Sequence, residues 1–326
     1  MARFSVLDLA PVREGGSIPE AYRNTADLAQ HAERWGYTRF WLAEHHNMPG
    51  IASAATSVLI GHVAGQTSTI RVGSGGIMLP NHAALAIAEQ FGTLDALYPG
   101  RIDLGVGRAP GSDSLTSQAL RYNTKEEDFP RQVSELLAFL APVREGQRLK
   151  AYPGAGSNVP VWLLGSTTYG AELAAALGLP FAFASHFAPA LLLDAIHAYR
   201  SGFQPSTYLD KPYVAAGVPL VAAESNDEAQ RLATSALQRH LKLIRGEPIL
   251  VPPPVDSMDG RWSEPEQFLV QSRLAAAVIG GPDTVQRKLA QFLDQTKADE
   301  LIFVSDLYDH RRRLRSFEIA AEAMKG

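Results

Sequence analysis

The chain has 326 residues, of which 46% are hydrophobic and 20% charged, and its formal net charge is -4 at pH 7. This is the balance of a globular protein with a large core, and no basic block indicates nucleic-acid binding. The absence of cysteine excludes disulfides, thiolate metal sites and cysteine nucleophiles. We identify neither a signal peptide nor a run of the roughly 18 apolar residues that would span a membrane. We therefore expect a cytoplasmic protein with a single domain over residues 1–326.

Eight short strand-like runs alternate with longer helical patterns. The first run is Phe4–Leu9, and the helix after it has Ser17 near its start, Pro19 in its first turn and Gly36 after its end. The other runs are Thr38–Leu42, Ile70–Gly73, Ile102–Gly105, Val161–Leu164, Phe181–Ala184, Tyr213–Val221 and Leu301–Val304. Such alternation indicates parallel βαβ units, and eight of them favour a closed (β/α)8 TIM barrel. An open doubly wound sheet is the alternative, although no glycine-rich dinucleotide loop follows the first run.

Residues 246–267 interrupt this alternation. Several prolines in a short space exclude a regular helix, so we expect an irregular insertion here. It is either a lid or binding loop, or a tolerated surface insertion. The run Arg311–Arg313, in the last helical pattern (Arg312–Met324), predicts a solvated helix face.

Four of the nine histidines follow strands, and chemistry in a barrel sits at the C-terminal ends of strands. His45 and His46 follow the second strand with Glu44 before them, His82 follows the third, and His186 follows the sixth. A histidine here can act as an acid or base in a reaction. Alternatively, the side chains of Glu44–His46 merely satisfy one another's hydrogen-bonding groups. Adjacent histidines without an HxH or HExxH spacing do not favour zinc, and we expect no metal. The histidines in helical patterns, which we expect on the surface or in packing, are His31, His62, His197 and His240.

Glycines follow the third strand in VGSGGIMLP, residues 72–80. They remove side chains where something must come close or where the backbone takes unusual angles. A flat ring system lying against the strand needs such clearance. Tight helix-on-strand packing or a β-bulge would need the same residues.

An arginine and a helix start follow the fourth and fifth strands. Arg108 lies among small residues, and Ser166–Gly170 opens a helix. Backbone N–H groups and hydroxyls at a helix start form an anion site, and a guanidinium on the neighbouring strand supplies the countercharge. Together they predict a bound phosphate. Taken separately, Arg108 can form a structural ion pair and the hydroxyls can be ordinary helix caps.

Five segments, in this order, resemble the luciferase-like flavin monooxygenase family: WLAEHH, VGSGGIMLPNH, AEQFGTLDALYPGRIDLGVGRAPG, VWLLGS and LGLPFAFASHF. The likeness runs from about residue 4 to the C-terminal ELIFVSDLYDH, nearly the whole chain. It is closer to the single-chain bacterial members of the family than to the light-emitting luciferase subunits.

The resemblance implies an FMN-binding barrel, usually a homodimer, that takes reduced FMN (FMNH2) from a separate NAD(P)H:flavin reductase. In this family oxygen adds at C4a of the flavin, and the hydroperoxide places one oxygen atom of O2 in a small organic substrate. His45 matches the family's catalytic histidine, with Glu44 beside it. Gly75–Gly76 matches a non-proline cis peptide against the flavin ring, and Arg108 matches the arginine on the phosphate. The expected FMN contacts are Ser74, Gly75, Gly76, Arg108, Ser166, Thr167, Tyr169, Gly170 and His186.

Three other functions fit parts of the pattern. One is a deazaflavin-dependent hydride-transfer oxidoreductase, since related barrels use that coenzyme. Another is a non-catalytic flavin-binding protein, which retention of His45 and Arg108 disfavours. The last is a metal-dependent barrel hydrolase. The expected lining of the mouth is Leu9, Trp41, Met78 and Phe187, which suits an apolar organic substrate.

Overall fold

Eight parallel strands close into a barrel in the computed structural model, which describes residues 2–109, 111–120 and 128–323. The barrel strands are β1 (Arg3–Asp8), β2 (Arg39–Leu42), β3 (Arg71–Met78), β4 (Ile102–Gly107), β5 (Val161–Gly165), β6 (Phe181–Phe183), β7 (Val214–Ala222) and β9 (Glu300–Val304). Each pairs with its neighbour, and β7–β9 and β9–β1 pairings close the ring. The predicted (β/α)8 barrel is therefore confirmed. A further short strand, β8 (Val278–Gly280), pairs with the C-terminal part of β7 and has no counterpart in the sequence prediction.

Helices cover the outside of the barrel. They are α1 (Ile18–Trp35), α2 (Thr56–Gly65), α3 (Ala84–Leu97), α4 (Ser114–Ala119), α5 (Phe129–Leu140), α6 (Thr168–Leu177), α7 (Leu192–Gly202), α8 (Asn226–Arg245), α9 (Glu264–Arg273), α10 (Pro282–Thr296) and α11 (His310–Ala323). The first helix begins and ends as predicted, because Ser17 accepts a hydrogen bond from the Glu20 amide and Gly36 caps the other end at φ 89°. Met324, the predicted end of the last helix, lies outside the described residues.

Alternation along the strands gives the barrel two separate cores. Val6, Phe40 and Val72 point outward and pack under the helices in the larger core. The inward-facing residues form a smaller core inside the barrel: Leu7, Trp41, Ala43, Trp162, Ala182, Ala215 and Ile302. The barrel interior is therefore filled by side chains, as in other barrels of this size.

The N-terminal end of the barrel is closed by buried charges. Arg39 donates to Asp103 at 2.7 Å and to Glu300 at 3.1 Å. Arg71 also pairs with Asp103 at 2.7 Å, and the Tyr213 hydroxyl donates to Glu300 at 2.9 Å. Burial opposes the charge on Arg39, but the two carboxylates outweigh it and raise the pKa of the guanidinium. Arg39, Asp103 and Glu300 are thus each paired with a group of opposite charge.

The insertion packs against the barrel and α8. Val251 pairs with Arg13 in the loop after β1, and Arg239 of α8 donates to the Ile249 carbonyl at 3.0 Å. The expectation of irregular structure through residue 267 was wrong for the last four residues. There α9 begins at Glu264, because Ser263 and Glu266 form a capping box and proline is tolerated in a first helical turn.

Arg313 departs from the predicted solvated face of the last helix. It is buried, and it donates to the Ser305 carbonyl at 2.9 Å and to Asp8 at 3.2 Å. In the part of the chain that the structure describes, none of the helices has the length and apolarity needed to span a bilayer.

Candidate active site

Glu44 joins the ends of β2 and β3 at the C-terminal end of the barrel, called the mouth below. Its carboxylate lies 2.8 Å from Nε2 of His46 and 2.9 Å from Nε2 of His82. It also accepts from the Met78 amide at 3.0 Å and from Asn81 at 3.1 Å. The side chain is only 1% exposed. Glu44 is therefore fully occupied in holding two histidines and the turn after β3.

The charge state of Glu44 follows from these contacts. Burial raises the pKa of the carboxyl, but the hydrogen bonds and charge of His82, with bonds from His46 and Asn81, outweigh burial and lower it. Glu44 is thus an ionised acceptor at neutral pH. It is suited to orienting its partners and poorly suited to donating a proton.

His45 points away from this network. Its Nδ1 is buried near Gly111 and makes no hydrogen bond of good geometry. Burial lowers the pKa of His45, and the Gly111 carbonyl opposes that effect only in part. The imidazole is therefore neutral near pH 7, when it can give or accept a proton. Of the adjacent pair, His46 is the supported histidine and His45 the unengaged one.

The backbone at Gly75–Gly76 is a cis peptide, as the resemblance implied. It lies at a register shift between β3 and β4, where Ser74 donates to the Gly105 carbonyl at 2.8 Å. A methyl group added at Gly75 would lie 2.7 Å from Cδ1 of Leu7, and one added at Gly76 would lie 2.8 Å from the Gly105 oxygen. A bulge and tight packing therefore both require these glycines. They also leave a stretch of backbone at the mouth that carries no side chains.

The start of α6 lies beside Arg108, on the strand next to β5. Thr167 is the N-cap residue, and its side chain makes no capping bond to the first-turn amides. The Arg108 guanidinium lies 4.4 Å from the ring centre of Tyr169, within that first turn. Amide N–H groups, the positive end of the helix dipole and a guanidinium thus converge on one place, which suits an anion.

His186 enters the mouth from the loop after β6. Ser185 beside it is buried and donates to the Gly217 carbonyl of β7. A methyl group added at Gly217 would overlap Nδ1 of His186, so the ring lies directly against that glycine. Burial is the main cause that lowers the pKa of His186 to about 4; the charge of Asp306 opposes this shift, and the charges of His45 and His240 add to it.

The sequence-predicted residues fall into four groups at the mouth. Glu44 and His45 lie at the end of β2, Ser74–Gly76 at β3, and Arg108 with Ser166–Gly170 at β4 and β5. His186 follows β6, the strand next to β5. Trp41, expected to line the mouth, is instead 1% exposed and packs under Gly75. It belongs to the interior core.

Sequence reasoning missed an arginine and an aspartate at the rim. Arg239 of α8 is 5% exposed and pairs with Asp306, which follows β9. Its other donors reach the carbonyls of Ile249 and Gly50. The position of Asp306 directly after a strand was an available signal, whereas Arg239 lies inside a helix with many charges and gave none. Among the described residues, no cluster of three or more His, Asp or Glu has the arrangement of a metal site.

The sequence profile of luciferase-like monooxygenases matches residues 2–300, and the chain belongs to this family. The uncharacterized protein YvbT of Bacillus subtilis is 55% identical over 326 residues, covering 99% of this chain and 96% of YvbT. A luciferase-like monooxygenase of Escherichia coli strain K12 is 53% identical over 321 residues, covering 98% of this chain and 96% of that protein. The crystal structure of apo-MsnO8 matches with a TM-score of 0.93 at 36% identity, covering 100% of this chain and 99% of that one.

More distant relatives have named activities. N-acetyl-S-alkylcysteine monooxygenase of Bacillus subtilis is 30% identical, covering 99% of this chain and 98% of that protein. The oxygenating constituent of 3,6-diketocamphane monooxygenase from Pseudomonas putida, solved with FMN, has a TM-score of 0.73 at 16% identity, covering 99% and 97% of the two chains. An F420-dependent secondary alcohol dehydrogenase also has a TM-score of 0.73, at 14% identity, covering 100% and 99%. These last two show the shared fold.

Proposed function

We propose that the chain is an FMN-dependent monooxygenase that uses reduced FMN and O2 to place one oxygen atom in a small organic molecule. The observation that carries this proposal is the anion site formed by Arg108 and the start of α6. It lies at the ends of β4 and β5, and β4 is the neighbour of β3, which carries the side-chain-free backbone at Gly75–Gly76. A flat ring with a phosphate on a short chain fits both features. Reduced FMN would come from a separate NAD(P)H:flavin reductase.

The residues that would hold FMN divide by chemistry. Arg108 and the amides of Ser166–Gly170 suit the phosphate, because a charged donor and a helix N-terminus act on the same anion. The backbone at Ser74–Gly76 suits the ring, because no side chain separates it from a flat ligand. A deazaflavin coenzyme would use much the same surfaces, so the discriminating measurement is reaction with oxygen.

His45 has the free imidazole that proton transfer requires. When bound, the flavin supplies oxygen activation at its C4a atom. His45 would give or accept the proton at the reacting group, while Glu44 fixes the neighbouring loop through His46 and His82. In this proposal Glu44 is a positioning residue. We also propose that the enzyme is a single-domain homodimer in the cytoplasm, where a reductase can supply reduced FMN.

The test is anaerobic titration with reduced FMN, followed by an oxygen pulse in a stopped-flow spectrometer. We expect saturable binding and a transient absorption band before oxidised FMN returns. His45→Ala should bind reduced FMN within about tenfold of the wild type, yet shorten the life of the band and release more hydrogen peroxide, since an acid–base group contributes about 10²–10⁴-fold to rate.

Two outcomes would count against the proposal. Tight binding of reduced deazaflavin with no binding of FMN would favour the hydride-transfer alternative. An unchanged band in His45→Ala would remove His45 from the chemistry and leave it a packing role. His62→Ala, in α2, is the matched control for loss of an imidazole far from the mouth.

A further inference from the structure

The loop between β4 and α4, called the β4 loop below, packs directly against the ring of His45. Gly111 in this loop has φ 63°, in the left-handed region that favours glycine. A methyl group added at Gly111 would lie 2.9 Å from the Glu44 carbonyl oxygen and 3.6 Å from Nδ1 of His45. It would also lie 3.0 Å from Cγ of Met78. The Gly111 backbone therefore lies against the imidazole, with no side chain of its own in between.

Two hydrogen bonds join the β4 loop to the loop that follows β2. The His46 amide donates to the Gly111 carbonyl at 3.1 Å. Nδ2 of Asn47 donates to the Asp113 carboxylate at 3.0 Å. Asn47 has φ 54°, and asparagine adopts this left-handed conformation more readily than most residues do. The two residues after His45 thus hold the β4 loop against the ring.

Asp113 is fixed independently of Asn47. It is the N-cap of α4, and its carboxylate accepts from the Thr116 amide at 2.8 Å and from the Thr116 hydroxyl at 3.0 Å. The bond from the Thr116 amide, followed by the bond from Asn47, lowers the pKa of Asp113 to about 2. Asp113 is therefore an ionised acceptor with a fixed orientation, suited to anchoring the side-chain amide of Asn47.

The contact with the β4 loop determines which nitrogen of His45 carries the hydrogen. A neutral imidazole has one N–H and one lone pair. Nδ1 is buried, no donor in the described part of the chain bonds to it, and the groups beside it are the carbonyls of Glu44 and Gly111. A hydrogen on Nδ1 faces these acceptors, whereas a lone pair there would face other lone pairs. Burial lowers the pKa of His45 and the Gly111 carbonyl opposes that effect, as an acceptor near the ring does.

The other nitrogen of His45 is the one that a ligand can reach. The residue is partly exposed although its Nδ1 is buried, and none of the residues that the structure describes forms a hydrogen bond with Nε2. With the hydrogen on Nδ1, Nε2 carries the lone pair. It can then accept a hydrogen bond or a proton from a group in the mouth, but it cannot donate one.

We propose that the β4 loop keeps the hydrogen of His45 on Nδ1 and so makes Nε2 a proton acceptor, with Asn47 and Asp113 as positioning residues. The role of Nε2 in the reaction rests on the proposed function, in which His45 gives or accepts a proton, and it selects acceptance as the first step. The position of the hydrogen is a property of the chain alone. Arg108 lies three residues before Gly111, so the loop that would bind the FMN phosphate also fixes the acid–base group.

The test measures the tautomer directly, by NMR of the flavin-free protein with isotope-labelled histidine. At about pH 8 the ring is neutral, and its protonated and unprotonated nitrogens have widely separated chemical shifts. His45→Gln identifies the signals of His45 by their loss. We expect the hydrogen mainly on Nδ1 in the wild type. A hydrogen mainly on Nε2 would overturn the proposal.

Substitutions at the bond between the two loops test the positioning residues. Asn47→Asp keeps the size of the side chain and its tolerance of left-handed backbone, but it places two carboxylates face to face. We expect the tautomer ratio to shift about threefold to tenfold toward hydrogen on Nε2, the effect of losing one neutral hydrogen bond. Asp113→Ala should act in the same direction. Asp113→Asn should restore most of the wild-type ratio, because asparagine also caps helices and can accept from Asn47.

Two matched controls separate positioning from a general loss of structure. Asp309→Ala removes an aspartate that accepts from the Arg312 amide at 2.9 Å at the start of α11, and it should leave the ratio unchanged. Gly111→Ala should displace the β4 loop, whereas Gly100→Ala has a similar positive φ and its methyl group would meet no described atom within 4 Å. An unchanged ratio in Asn47→Asp or in Asp113→Ala, or equal shifts in the two glycine variants, would contradict the role of the loop.

The two proposals fail under different results. The tautomer is measured without flavin, and FMN binding and the oxygen pulse are measured without reference to the tautomer. A protein that has its hydrogen on Nδ1 but ignores FMN would remove the proposed function and the reaction step at Nε2, and would leave the positioning of His45. Normal flavin behaviour with the hydrogen on Nε2 would remove this inference alone.

Discussion

The two ends of the barrel are built from the same eight strands but treat polar groups in opposite ways. At the N-terminal end Arg39, Asp103 and Glu300 are buried and paired with one another. At the mouth, His45 and His186 have buried nitrogens without partners of good geometry. Unsatisfied buried polar groups are costly, so the two rings at the mouth are candidates for contact with a ligand. The comparison therefore separates polar residues that hold the barrel from those available for chemistry.

The largest effect that this comparison predicts is at the closed end. Arg39→Met leaves Asp103 and Glu300 without their shared partner and should cost about 3–5 kcal/mol of unfolding free energy. The measurement is urea unfolding at neutral pH. Arg131→Met is the matched control, because Arg131 lies in exposed ion pairs and its loss should change the unfolding free energy by less than about 1 kcal/mol. Similar losses of unfolding free energy in Arg39→Met and Arg131→Met would contradict the comparison between the two ends.

The next effect concerns the anion site at the mouth. Arg108→Ala should weaken reduced FMN by about 2–3 kcal/mol and reduced riboflavin by much less, since only FMN carries the phosphate. Arg108→Lys should recover part of the loss, because it restores charge without the planar fork. Anaerobic titrations with reduced FMN and with reduced riboflavin measure the preference of each variant for FMN. Equal weakening of FMN and riboflavin would mean that Arg108 holds the loop and does not bind the phosphate.

The smallest effect is a dependence of stability on pH. The pKa of His186 is lowered to about 4 in the folded chain, against about 6.5 when unfolded. The unfolded chain therefore binds the proton first, and stability falls as pH drops from about 6.5 toward 4, by roughly 2 kcal/mol for a partly buried group. His186→Gln should remove this part of the loss, leaving the contributions of His45 and His240, whose pKa values burial also lowers.

The measurement is urea unfolding of the wild type and of His186→Gln at several pH values between about 6.5 and 4. The charges of Asp306, His45 and His240 shift the pKa of His186, and all three residues are present in both proteins. The difference in unfolding free energy between the wild type and His186→Gln therefore isolates the contribution of His186. Parallel stability curves for the two proteins would show that the ring is hydrated in the folded chain.

The barrel was predictable because its strands are short apolar runs separated by capped helices. The strand β8 was not, because Val278–Gly280 has three residues and lies outside the ring. The helix α9 was hidden by the prolines before it, although Ser263 and Glu266 had the spacing of a capping box. Local signals thus identified the repeating units and the insertion, and missed the helix α9 and the strand β8.

Individual residues at the mouth were predictable by position, but their partners were not. The EHH segment identified Glu44, His45 and His46, yet only the three-dimensional structure brings His82 onto the same carboxylate. The position of the His186 ring depends on Gly217, which is 31 residues away in sequence and lies on another strand. A contact of that kind leaves no periodic pattern in either segment.

The insertion after α8 shares a small hydrophobic core with its flanking helices, formed by Leu241 of α8, Met258 of the insertion and Val270 of α9. This core is separate from the two cores of the barrel, so substitutions within it leave the packing around the strands unchanged. It contacts the rim of the mouth through Arg239, whose partners lie in the insertion, after β9 and in the loop after β2. Variation in the insertion can therefore alter the shape of the rim, and with it substrate range, at little expense to the barrel.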